Sequence, residues 1–274
     1  VRLLVSDRGG SHGDMNALGD VAMGTVAACW RYPVKSFQGR PVDALEVDPT
    51  GIDLDRAFGV VDVATGRLLA AKRVPQLLMA VGDDTTITLP DGSTYEHGDP
   101  EVHGALSRWL GREVRLCSPA DAGAVAYEMT FDPPNEDAEV FEIPVPEGTL
   151  LDLTPVHLVT TATLDACAAA RPDLDWDVRR FRPNLVIDAD VAPWEEQTWV
   201  GRRLAIGTTV LAVSGPMVRC AMPLRPQPGG LDREPGIFRA LSELNPAFPN
   251  HLGLCLDVVE PGRIEVGDDV ALAG

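Results

Sequence analysis

Short apolar runs, each closed by a Gly- or Pro-bearing turn, recur along almost the whole chain. This pattern constrains the fold more than any other feature. Runs of four to seven residues suit strands, because a strand crosses a core in about that length, whereas a helix needs ten or more. Such runs occur at residues 25–30, 58–63, 67–71 and 85–89, and again at 184–188, 203–206, 210–213, 253–259 and 263–266. Ala64-Thr65-Gly66 and Pro90-Asp91-Gly92 supply the dihedrals of two hairpin turns. One helix is predicted after Asp99-Pro100, with Val102, Leu106, Trp109 and Leu110 on one face and Gly111 as its stop. Shorter helices are expected at 163–170 and 236–244. Many strands and few helices predict a mainly β protein of two linked β-barrels. The Pro-rich stretch 131–148 reads as the loop between them, which places one barrel at 24–146 and the other at 147–274.

Charge removes several function classes. The chain has 41 acidic and 23 basic residues, a formal charge of −18. Such a surface repels nucleic acid and anionic lipid. No apolar run is long enough to span a membrane. Residues 1–23 carry Asp7, Asp14 and Asp20 and no long apolar block. They read as a disordered polar leader rather than a secretion signal, with Met23 a candidate start. The cysteines are Cys29, Cys117, Cys167, Cys220 and Cys255, with no Cys-x-x-Cys pair. A zinc ribbon, an iron–sulfur cluster and a disulfide framework are all disfavoured, and reduced thiols in a cytoplasmic protein are expected. Neither a dinucleotide-binding nor a P-loop glycine motif is present. The histidines form no metal-ligand spacing, and surface solvation is the expected state of His97 and His103.

Four basic residues sit at strand edges against this acidic background. They are Lys35 in Tyr32-Pro33-Val34-Lys35-Ser36, Arg56 in Asp55-Arg56, Arg182 in Phe181-Arg182-Pro183-Asn184, and Arg219 before Cys220. A guanidinium fork matches phosphate oxygens and a lysine adds a point charge. Taken singly, each is more often a surface residue or the partner of an acid. Cys220 beside Arg219 has the surroundings of a thiolate, a soft ligand for metals. Taken singly, it is more often a buried, inert thiol.

Together, and in this order, these motifs resemble the MOSC family, the barrel proteins related to the C-terminal domain of molybdenum cofactor sulfurase. The likeness extends through Gly51, Leu54-Asp55-Arg56, Gly66, Thr154-Pro155, Trp199, Gly201, Ile206-Gly207, Gly253 and Pro261-Gly262-x-Ile264-x-Val266-Gly267-Asp268. Within the family the sequence is most similar to two-part members of the amidoxime-reducing type. The resemblance implies a molybdenum cofactor (Mo-molybdopterin), with Cys220 as metal ligand and catalytic residue. It implies that Lys35, Ser36, Arg56, Thr154, Arg182, Asn184, Val218 and Arg219 contact the pterin. It further implies a small N-hydroxylated substrate and electrons from a separate protein of ferredoxin, flavoprotein or cytochrome type.

The sequence departs from its relatives at three places. Phe37 stands where a cysteine often follows Lys-Ser, Cys255 where an aromatic residue is common, and the loop 221–231 lacks the Asp-Pro-Asp-Thr-Gly wording. No Cys-x4-Cys-x2-Cys cluster motif follows. The alternative expectation is a sulfur or cofactor carrier in which Cys220 bears a persulfide and no redox turnover occurs. A barrel that has lost its cofactor and only binds is the third.

Overall fold

The computed structural model describes residues 21–132, 135 and 137–273. The expected disordered leader lies almost wholly outside the described residues, as do Pro133, Pro134 and Glu136 of the Pro-rich stretch. The fold is mostly β, as the turn-punctuated runs predict.

Seven strands close a barrel: β1 (Val21–Arg31), β2 (Val156–Thr160), β3 (Leu185–Ala189), β4 (Arg203–Ile206), β5 (Thr209–Val218), β6 (His251–Glu260) and β7 (Asp269–Ala273). Their order around the wall is β3-β2-β6-β5-β4-β7-β1, and β1 returns to pair with β3. All neighbours are antiparallel except β2 and β3, which the helix α2 (Thr161–Ala170) joins as a parallel crossover. The Thr160 hydroxyl caps that helix on Thr163 N. Inward side chains Val26, Leu158, Leu185, Ile187, Leu204, Leu211, Leu254 and Ile264 fill the interior. Each fully buried aliphatic side chain contributes about 1.5–3 kcal/mol, so this cluster is the main stabilising mass of the barrel. Register shifts bend β5 at Val213/Gly215 and again at Pro216/Val218. They turn the end of β5 out of the wall and carry residues 219–231 away from it.

The first half builds a second core around helix α1 (Glu101–Leu110), whose Val102, Ala105, Leu106 and Leu110 are buried. The Asp99 carboxylate accepts from Glu101 N at 2.8 Å, and Gly111 ends the helix at φ 66°. Around α1 pack the pair Gly59–Asp62 with Val114–Cys117, and the meander Val81–Gly82, Thr86–Thr88, Thr94–Glu96. The stretch read as a loop at 131–148 contains a strand, Phe141–Pro144, paired with Ala126–Met129. Its prolines disguise it, since Pro144 can end a ribbon edge without breaking a ladder.

The two halves interlock across the expected division at 146. Strand β1 belongs to the barrel of the second half, because its two edges bond β3 and β7. Strand Ala44–Asp48 pairs with Gly262–Glu265. In return, Met222 joins the first-half core that contains Val34, Phe37 and Leu78, and Cys220 packs against it. An apolar run needs only a matching free edge, and the nearest one in sequence need not supply it.

Candidate functional site

The exchanged segments meet where β1 leaves the barrel and β5 ends. Beyond β1 the chain turns through Tyr32–Phe37. Lys35 N donates to Phe58 O at 2.8 Å and Phe58 N to Pro33 O at 3.0 Å. Tyr32 N donates to the Asp55 carboxylate at 2.8 Å, and Arg56 N to Tyr32 O at 2.8 Å. These bonds zip two expected motifs, 32–36 and 54–56, into one wall.

Lys35, Ser36, Arg182 and Arg219 are all nine-tenths or more buried. Lys35 Nζ reaches Leu150 O at 2.6 Å and Asp152 Oδ1 at 2.5 Å. A second lysine, Lys72, binds the other oxygen of Asp152 at 3.0 Å and lies 3.9 Å from the centre of the Tyr127 ring. Arg182 donates to Phe37 O at 2.6 Å, which ties the second half to the lysine turn. Arg56 pairs with Asp55. The guanidinium carbons of Arg56 and Arg182 lie 4.7 and 4.2 Å from the centre of the Tyr32 ring. Four cations, Lys35, Lys72, Arg56 and Arg182, thus gather around two carboxylates, Asp55 and Asp152, in a protein of charge −18.

Burial pushes the Lys35 ammonium down to about 8, against the pull of Asp152, while Lys72 and Arg56 add repulsion. Burial would raise Asp152, but the two lysines hold it below the usual carboxylate range. Burial would also lower Lys72, yet Asp152, with Cys220 and Tyr127, holds it above its ordinary value. The Cys220 sulfur therefore belongs to the same electrostatic cluster, facing both Lys72 and Arg219. The hydrogen bonds of the Arg219 fork go elsewhere: to Leu252 O at 2.7 and 3.0 Å, to Phe181 O at 2.9 Å and to His157 Nε2 at 2.6 Å. Arginine only donates, so His157 Nε2 accepts, and Nδ1–H faces Arg182 O at 3.3 Å. Burial, then the charge of Arg219, keeps this ring neutral.

The backbone is strained at the same place. Ser36, Arg56 and Arg182 all have left-handed φ, at 69°, 51° and 53°. Each such residue costs about 1–3 kcal/mol and persists only where its surroundings enforce it. Asn250, at φ 61°, offers its carbonyl to Arg219 N at 2.8 Å. Strain this concentrated points to function rather than to loop accident.

The other sequence candidates hold the frame. The Ser36 hydroxyl accepts from Ala71 N at 3.0 Å, next to Lys72. Asn184 clamps three strands, accepting from His157 N at 3.2 Å and donating to Trp30 O at 3.3 Å. Thr154 ties its loop to Leu256 O at 2.7 Å. Val218 is half exposed at the end of β5. Cys220 is partly exposed, and the other cysteines are buried free thiols. Cys255 sits in β6 with its sulfur 3.8 Å from Met217 Sδ, and burial pushes its thiol up to about 11.

Sequence reasoning passed over Lys72, Asp152, Tyr127 and His157. His157 carried a signal: it stands inside the unbroken apolar run Val156–Val159, and buried histidine is its outcome. Lys72 likewise follows the buried run Leu68–Ala71. The expectation of solvated histidines fails at His97 and His103 too. His97 packs on Phe58 at 4.2 Å, and His103 Nδ1 accepts from Leu116 N at 3.2 Å. Both are half-buried rather than fully solvated.

The fold and site define the class: a mostly β protein whose closed barrel carries a buried cationic cluster beside a partly exposed thiol. The chain belongs to the MOSC family. Its residues 147–271 match the MOSC domain and residues 23–96 the MOSC N-terminal beta barrel domain. It is 28% identical to human mitochondrial amidoxime-reducing component 1, over 92% of this chain and 84% of that protein. It is 25% identical to bovine mitochondrial amidoxime reducing component 2, over 90% and 83% respectively. Among solved structures, the YUAD protein of Bacillus subtilis matches with a TM-score of 0.44 and 11% identity, over 92% of this chain and 97% of that one.

Proposed function

We propose that this protein is a molybdenum-cofactor oxidoreductase that removes oxygen from N-hydroxylated compounds. The observation that carries this reading is the charge balance at the barrel mouth: four cations against two carboxylates, beside the partly exposed Cys220. The donor set fits the group. A pterin phosphate would supply the missing negative charge, and Cys220 a soft sulfur ligand. Among the described residues no three His, Cys, Asp or Glu side chains gather to hold a metal ion. The remaining metal ligands would then come from the cofactor itself.

In this reading Lys35, Lys72, Arg56 and Arg182 hold the anionic end of the cofactor. Asn184 and His157 keep Arg182 and Arg219 in place. When bound, the cofactor supplies two-electron oxygen-transfer chemistry, and the protein supplies orientation and electrostatics. Removing the oxygen of an N-hydroxyl group as water consumes two electrons and two protons. A separate redox protein provides the electrons. The free thiols suit a reducing compartment such as the cytoplasm.

The test is elemental analysis of protein from a cofactor-competent host, wild type beside Cys220→Ser, followed by benzamidoxime reduction with an artificial donor. Near-stoichiometric molybdenum, lost in the variant, with turnover by the wild type, is the expected result. Loaded protein without turnover would defeat the substrate class. Metal absent from both proteins, with one extra sulfur atom on Cys220 by intact mass, would establish the carrier role instead.

A further inference from the structure

One buried hydroxyl at this site has no partner. Tyr32 is 2% exposed, and its OH meets no donor or acceptor among the described residues. Buried hydroxyls are normally paired, because desolvation without a hydrogen bond is unfavourable. The neighbouring Ser36 and Thr154 obey that rule. Nothing about the ring is loose. Its backbone is held by Asp55 and Arg56, and Trp30 stacks on it at 6.3 Å. Gly39 closes the edge, where a Cβ would come within 2.5 Å of Tyr32 Cδ1. A fixed ring with an unpaired hydroxyl is a donor kept for something else.

Its neighbours indicate what that is. Arg56 and Arg182 both lie over the ring, at left-handed backbone positions. Arg182 spends one hydrogen bond, on Phe37 O, and Arg56 one, on Asp55. Each fork retains N–H groups. Two forks over one ring and a free hydroxyl on that ring suit a tetrahedral group with three terminal oxygens better than a planar carboxylate with two. Arg56 also lines an open cleft with Asp55, Ala57, Leu150 and Pro155, which gives such a group a way in.

We propose that Tyr32 is a ligand-binding residue whose hydroxyl donates to the phosphomonoester held by Arg56 and Arg182. The proposal rests on the anionic reading of the site given above, and it does not depend on the metal. Entry from the cleft displaces the Arg56–Asp55 contact, and the freed fork joins Arg182 and the phenol around the phosphate. In the ligand-free protein the same hydroxyl is a local defect.

Tyr32→Phe separates these roles, because it removes only the oxygen. Metal-free wild type and Tyr32→Phe are titrated calorimetrically with inorganic phosphate, and both are melted in phosphate-free buffer. Tyr32→Leu, which also removes the ring, serves as the control for lost arginine stacking. A hydrogen bond to a charged group corresponds to about tenfold or more in affinity. The expected result is at least that loss in Tyr32→Phe, with a melting temperature equal to or above wild type, and a larger loss in Tyr32→Leu. Unchanged phosphate affinity in Tyr32→Phe, or no phosphate binding by wild type, would overturn the proposal. So would a lowered melting temperature in Tyr32→Phe, which would assign the hydroxyl to the fold. Pterin content, assayed separately on protein from the cofactor-competent host, identifies the phosphate's source. Tyr32-dependent phosphate binding without pterin in the wild type would defeat the cofactor reading and leave this one standing.

Discussion

Asp152→Asn is the perturbation with the most to say about the cationic cluster. Asp152 bonds both Lys35, at 2.5 Å, and Lys72, at 3.0 Å. The amide keeps the shape and removes the charge. Breaking a fully buried ion pair costs about 3–5 kcal/mol, because the partner stays behind uncompensated. The Asp152 side chain is 36% exposed, so solvent screens part of this, and about 2 kcal/mol is the expected loss. For a chain of this size that lowers the melting temperature by roughly 4–8 °C at pH 7. The pH dependence has a fixed sign. Asp152 is depressed in the folded state, so its contribution is complete above about pH 4, the unfolded value, and is lost on acidification. The gap between wild type and variant therefore closes below that pH. At the alkaline end the buried Lys35, already lowered to about 8, sheds its proton more readily in the folded protein than in the unfolded one. Without Asp152, whose charge raises Lys35, the lysine of the variant is lowered further, so the variant begins to gain stability at lower pH than wild type and the gap narrows as pH climbs toward that value. Phosphate should rescue the variant more than the wild type, since it replaces the missing counter-charge. Differential scanning calorimetry from pH 3 to 10 measures all of this. A melting temperature within about 1 °C of wild type at pH 7 would refute the reasoning, because no buried cluster could then lose its counter-ion so cheaply.

Other parts of the fold make independent predictions. Glu196 is fully buried, with the Thr163 hydroxyl at 2.8 and 2.9 Å, and burial raises its pKa. A raised carboxyl stabilises the fold below its unfolded pKa and loses that contribution as pH rises, so Glu196→Gln should gain roughly 1 kcal/mol over wild type at pH 8 in urea titrations. An equal midpoint at pH 8 would show that the carboxylate is compensated. Gly253 has φ +83°, and a Cβ there would approach Leu158 O to 2.4 Å and His157 Nε2 to 2.6 Å. Gly253→Ala should cost about 3 kcal/mol or more and disturb the His157–Arg219 contact, read as a lowered melting temperature and a shifted His157 ring signal in NMR. Finally, a bulky alkylating reagent should label Cys220 first in the native protein, since the other cysteines are buried; early labelling of Cys255 by peptide mapping would contradict the packing described.

Much of the architecture was legible in sequence because it depends on local rules. The start of α1 follows from Asp99-Pro100 and its stop from Gly111, and the 236–244 helix appears as expected at Gly236–Leu244. Short apolar runs between turn residues reported strands, whatever their partners. Lys35, Arg56, Arg182 and Cys220 stood out because charge and thiol chemistry at strand edges are visible residue by residue. Partnership is not local. Nothing in residues 25–30 says that β1 closes a barrel with β3 and β7, since an apolar strand accepts any edge that matches its register. The same holds for the cluster at the barrel mouth. Lys72, Asp152, Tyr127 and His157 come from distant stretches, and each reads alone as an ordinary surface or core residue. Only the fold brings Lys72 and Lys35 to one carboxylate, turns the Arg219 fork toward His157, and leaves the Tyr32 hydroxyl unpaired on a ring that two arginines cover. Residue chemistry is a property of the sequence, whereas burial and proximity, which set charge and pKa, exist only once the chain has closed on itself.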